Sequence, residues 1–189
     1  MMSDLAHPTT RVSLIKLYFC RGLLALTWAV VFAKIHEDLN LLAIAVLAIY
    51  PLIDAVSSFV DYRTMASGSE RQVTAFNAAL STLTAIALCA MGSLGPAAIL
   101  AIFGAWAVIS GAAQFALGLR RRGQELGRQW PMLIAGGLSF LVGFTYCFQA
   151  TGAKPDLAVL SVYATGGGFF FVFQAALLAR RLRYRRQAA

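Results

Sequence analysis

Residues 39–60 read LNLLAIAVLAIYPLIDAVSSFV. The stretch carries one charged side chain, Asp54. About 20 mostly apolar residues, wound as a helix, cross the roughly 30 Å hydrocarbon core of a bilayer. Working outward, the same texture recurs five more times. The apolar spans run over 14–35, 39–60, 73–91, 96–119, 131–150 and 157–179. Polar or turn-forming breaks separate them, among them His36-Glu37-Asp38, Ser93-Leu94-Gly95-Pro96 and Arg120 to Gln129. This predicts an all-α polytopic membrane protein. Residues 1–189 form one transmembrane domain with no room for a soluble one.

Composition agrees. Hydrophobic residues make up 59 % of the chain and charged residues 13 %. A soluble domain is about 45–50 % apolar and about 25 % charged. Disorder needs the opposite balance. The net charge of +8 comes from 16 basic and 8 acidic residues. With the N-terminus in the cytoplasm, Lys34 and Lys154 are the only basic residues on the far side. The other 14 of the 16 fall on the cytoplasmic side, which is the positive-inside bias. Both termini are therefore expected in the cytoplasm. The charge reads as an orientation signal, so no nucleic-acid partner is expected. Val31-Phe32-Ala33 also has the form of a signal-peptide cleavage site, but the repeat described next gives the first span a structural role.

The even-numbered spans share a pattern. Tyr50, Trp106 and Tyr163 are offset by 56 and then 57 residues. Asp54, Ser110 and Gly167 follow four residues later, and Arg21-Gly22 lies opposite Asn77-Ala78. Self-similarity at a fixed period reflects one repeated supersecondary unit. The expected arrangement is three repeated helical hairpins inserted the same way.

Three features resemble the HdeD-like acid-resistance membrane proteins. They are Arg21-Gly22 near the first span, six spans in three hairpins, and the Gly/Ala-rich Ala105-Trp106-Ala107-Val108-Ile109-Ser110-Gly111-Ala112-Ala113-Gln114-Phe115. The resemblance covers nearly the whole chain. It implies a multi-pass bacterial inner-membrane protein acting in envelope or acid stress. It carries over no catalytic residue. Asp54 departs from the small residue expected at its place.

Ionisable residues inside a span are costly and mark sites. Arg21 and Asp54 average to the centre of the turn between the first two spans, so antiparallel helices place them at one depth. An intramembrane ion pair is expected. Asn77 and Gln114 are related in the same way about the Gly95-Pro96 turn. With Ser110 and Gln174 they make a candidate polar layer in the cytoplasmic third. Two readings stay open: contacts that fix helix register, or a wet inward-facing vestibule. Gly104, Gly111 and Gly118, with Gly136 and Gly143, form seams at seven-residue spacing. Such seams pack helices within one chain, or join it to a second copy or a membrane partner.

Catalytic and cofactor motifs are not found. Cys20, Cys89 and Cys147 lie singly within spans, and His7 and His36 fall on opposite sides of the membrane. Gly166-Gly167-Gly168 has neither the strand nor the lysine of a phosphate loop. No metal and no cofactor are expected. Arg180, Arg181, Arg183, Arg185 and Arg186 fit anionic lipid headgroups of the bilayer. The expectation is a non-enzymatic inner-membrane protein of HdeD-like type. Its alternatives are a small transporter or channel-like protein using the Arg21/Asp54 layer, and an accessory membrane subunit.

Overall fold

A computed structural model describes residues 8–65, 67–122 and 129–187, with side chains from 13 to 183 in the same segments. The described residues form six α-helices and no strand. They are α1 (Pro8–Ile35), α2 (Leu41–Thr64), α3 (Ser69–Met91), α4 (Pro96–Arg120), α5 (Trp130–Ala150) and α6 (Ala158–Gln187). All six are long and apolar enough to cross a membrane. Several outrun their apolar spans. α1 begins at Pro8, α2 continues to Thr64 and α6 to Gln187. Apolar length reports the bilayer, whereas backbone hydrogen bonds propagate until a residue stops them.

Local chemistry sets the ends. Asn40 caps α2 by accepting the Ala43 N–H at 3.0 Å. Gly95, at φ 107°, turns the chain into α4, whose first residue is Pro96. Gln129 precedes α5 in the left-handed region at φ 52°. That conformation is unfavourable for a residue with a Cβ. Its side chain accepts the Gln174 amide of α6 at 2.6 Å, which anchors it.

Successive helices pack as neighbours, and α6 returns against α1, so the six close into a ring. The most extensive contacts are α4 with α5, α6 with α1, and α2 with α3. These pairs lie between the hairpins rather than within them. Glycine permits two of the three. A Cβ at Gly111 would lie 2.5 Å from Phe140 N, and one at Gly136 would lie 2.7 Å from Phe115 N. Gly104 and Gly143 face each other in the same way, as do Gly22 of α1 and Gly168 of α6. Apolar side chains gain little by leaving lipid for each other, so close backbone approach holds such helices together. The glycine seams thus act within the monomer. α2 and α3 meet instead through polar side chains.

The bundle is solid at one end and hollow at the other. Toward the short α1–α2, α3–α4 and α5–α6 turns, Phe32, Leu47, Leu88, Ile99, Leu100, Phe103 and Leu160 are fully buried. Trp28 Nε1 donates to the Val46 carbonyl there and pins α1 to α2. The hollow lies toward the end that carries the start of α1 and the end of α6. Large apolar residues such as Val56, Leu83, Phe148 and Phe169 point outward and are exposed. Lipid accepts such a surface, and water does not.

Gly111→Ala is expected to lower stability by about 1–3 kcal/mol through overpacking. Gly166, with nothing within 4 Å of a built Cβ, should accept alanine with little change. Thermal unfolding of the two variants in detergent checks the contrast.

Candidate functional site

α2 turns Tyr50, Asp54, Ser57, Ser58 and Asp61 toward the interior, at the three-to-four-residue spacing of one helix face. Asp54 is 4 % exposed. A carboxylate there cannot be solvated by lipid, so its partners must come from the protein. Arg21 of α1 forms an ion pair with Oδ1. Asn77 Nδ2 and Ser81 Oγ of α3 both donate to Oδ2 at 2.6 Å. Ser81 Oγ in turn accepts Trp106 Nε1 of α4 at 2.9 Å. The Arg21 guanidinium lies 4.0 Å from the centre of the Phe171 ring of α6. One carboxylate therefore gathers four helices directly or through a single intermediary, besides its own.

The expected polar layer is redrawn in two places. Asn77 donates to Asp54 and also to Ser58 Oγ at 3.0 Å, and its own Oδ1 has no partner. It makes no bond to Gln114, because a full carboxylate charge is the stronger acceptor. Gln114 and Ser110 line the central cavity instead. Gln174 lies outside the layer and bonds Gln129 nearer the terminal end.

A second polar cluster was not legible in the sequence as a site. Arg121, the C-cap of α4, has a side chain only 2 % exposed. It donates to Tyr18 Oη at 2.7 Å, to Asp61 Oδ2 at 2.8 Å and to Glu70 Oε2 at 3.4 Å. Burial opposes its charge, but the Tyr18 oxygen, Asp61 and Glu70 outweigh that and hold its pKa above the usual arginine value. Arg121 thus ties α1, α2 and α3 to α4 at the terminal end. The available signal was two carboxylates, Asp61 and Glu70, flanking the α2–α3 turn. Only the ring closure shows which arginine of the 120–122 run they meet.

Between this cluster and the solid half lies a cavity of about 260 Å³, lined by residues of all six helices. Its floor is aromatic. Tyr50, Trp106 and Tyr163 stand with ring centres 5.8–6.2 Å apart and planes crossing at 68–88°. These edge-on contacts are the favoured geometry of aromatic pairs. Phe103 backs the trio at 5.0–5.7 Å. Ser139 donates its one proton to the Ala107 carbonyl at 2.9 Å. The 2.6 Å contact between Ser139 and Tyr163 is then a bond donated by Tyr163. Tyr146 donates to the Val159 carbonyl at 2.8 Å.

Other expected site residues lie apart from the cavity. Arg180, Arg181 and Arg183 are exposed on the last turns of α6. The side chains of Arg185 and Arg186 lie outside the described residues, as does His7. His36 is half-buried, with Nδ1 3.1 Å from the Ala33 carbonyl. Among the described residues, no three His, Cys, Asp or Glu side chains cluster as a metal site.

Asp54→Asn is expected to leave Arg21 uncompensated and to cost about 3–5 kcal/mol, whereas Asp54→Leu combined with Arg21→Met recovers most of the loss. Unfolding midpoints of the single and double variants in detergent measure both. A single variant as stable as the parent would contradict the central place of this pair.

The sequence model of a family described as a short repeat of unknown function (DUF308) matches residues 76–148. The match begins within α3, covers α4 and takes in nearly all of α5. It is to a family of membrane proteins of unknown function. No curated protein and no solved structure matches the chain. The match and the six apolar helices together support a multi-pass membrane protein.

Proposed function

We propose that this is a non-enzymatic inner-membrane protein in which three repeated hairpins enclose a solute chamber on the cytoplasmic side. Its role is to bind or carry a small solute. The observation that carries this reading is the cavity of about 260 Å³ reached by all six helices and floored by Tyr50, Trp106 and Tyr163. Those rings are the three that the 56- and 57-residue offsets equate. A threefold repeat around one axis brings equivalent residues together in this way. The glycine contacts favour the same arrangement. Gly111 meets Gly136, and Gly168 meets Gly22. Gly111 and Gly168 are one repeat apart, and Gly22 and Gly136 two.

The charge bias supports a cytoplasmic position for the cavity end, with both termini on the same side. The packed half then forms the outer barrier, which favours a one-sided chamber over an open pore. Arg121, with Tyr18 and Asp61 on the chamber wall, holds the inner mouth. Stress physiology of the HdeD-like type supplies a setting for this role and no step in it. The C-terminal arginines serve as a topogenic anchor on anionic headgroups.

Accessibility tests the reading. Ser110, buried on the cavity wall, is changed to cysteine in a chain whose native Cys20, Cys89 and Cys147 are alanine. A small water-soluble methanethiosulfonate should label Ser110→Cys from the cytoplasmic face and not from the other. Arg121→Ala, which opens the inner mouth, should speed labelling about tenfold or more, the scale of losing one buried charged contact. Labelling only from the outer face, or from neither, would overturn the chamber.

A further inference from the structure

The chemistry of the chamber wall restricts what it accepts. Three charged residues reach the wall: Arg21, Asp54 and Asp61. Each is already engaged, Asp61 through one oxygen only. Asp54 has one oxygen on Arg21 and the other on two donors. Asp61 has one oxygen on Arg121, while the second is shut off from the open space. Arg121 itself faces Asp61 and Glu70. A cation entering the chamber would find no carboxylate oxygen both unpartnered and open to it, since the unpartnered Asp61 Oδ1 is buried. An anion would find no cation without its own counter-charge. In a medium of low dielectric constant either guest would carry an unbalanced charge.

Uncharged guests fare differently. A guanidinium has five N–H donors, and Arg21 commits one nitrogen to Asp54. Its remaining N–H groups are the strongest uncommitted donors on the wall. The Tyr50, Trp106, Tyr163 and Phe171 rings make much of the rest. A dry cavity of about 150 Å³ already holds benzene. The volume here, about 260 Å³, suits a ring with a substituent.

We propose that the chamber takes an uncharged molecule of about single-ring size, with one hydrogen-bond-accepting head directed at Arg21 and its ring among the aromatic side chains. This rests on the chamber reading above and names the ligand class for it.

The test uses the full chain in lipid nanodiscs and isothermal titration with three probes of one shape: benzamide, benzoate and benzylammonium at pH 7. Benzamide is expected to bind about tenfold or more tighter than either charged probe, the scale of an unpaired charge left in the site. Ser110→Phe, and separately Gly167→Leu, fill the chamber and should abolish that binding. Equal or tighter binding of benzoate or benzylammonium would overturn the uncharged class. So would benzamide binding that survives in both filled variants. If no probe binds while Ser110→Cys still labels from the cytoplasmic face, the ligand class falls and the chamber stands. If labelling fails as well, both fall.

Discussion

A carboxylate placed among apolar helices has no solvent to turn to, and this constraint organises the molecule. Asp54 must be satisfied by groups the fold supplies. Arg21, Asn77 and Ser81 come from the two helices flanking α2, and through Ser81 the indole of Trp106 joins from the next. The α2–α3 interface carries no glycine seam, so polar contacts supply there what backbone proximity supplies at α4–α5 and α6–α1. Two binding principles thus share one ring: close approach of small residues, and hydrogen bonds that lipid cannot replace.

The same constraint explains why the bundle is hollow at only one end. Toward the short turns the interior is dominated by aliphatic and aromatic side chains, buried Thr84 returns its hydroxyl to its own helix, and close packing fills the axis with Phe32, Leu47, Ile99, Leu100 and Phe103. Toward the termini, the interior carries the Arg21–Asp54 and Arg121–Asp61 pairs, whose hydrogen-bonding geometry holds the helices at fixed distances. Rigid polar groups cannot close up around a gap as aliphatic side chains do. A hollow is left between the two pairs, and small residues such as Ser110, Gly166 and Gly167 leave it wide.

Much of this was legible in the sequence, for physical reasons. A short turn between antiparallel helices fixes depth, so the positions of Arg21 and Asp54 pointed to each other. The matching spacing of Tyr50, Trp106 and Tyr163 was visible as well, but spacing along the chain does not show that side chains meet, and only the packed helices bring the three rings together. Helix phase at the ends was not legible. Nothing in Arg120-Arg121-Arg122 distinguishes the arginine that turns inward from its two exposed neighbours. Asn77 and Gln114 have matching depth, yet depth does not say which acceptor wins, and the carboxylate did. Gln174 reads as part of the layer by composition, but it lies past Phe171 and meets the left-handed Gln129 instead.

The closure of α6 onto α1 has a consequence for biosynthesis. A membrane protein is inserted from its N-terminus onward, and helices associate after insertion. Of these six helices, the one made first is the one whose glycine partner and stacked aromatic ring, Gly168 and Phe171, lie on the one made sixth. Until α6 arrives, α1 is held only by α2 and the polar contacts of Arg21 and Tyr18, with one flank open to lipid. Maturation is the closing of a circle, and a chain truncated before its sixth helix would keep its ion pair but have no enclosed interior.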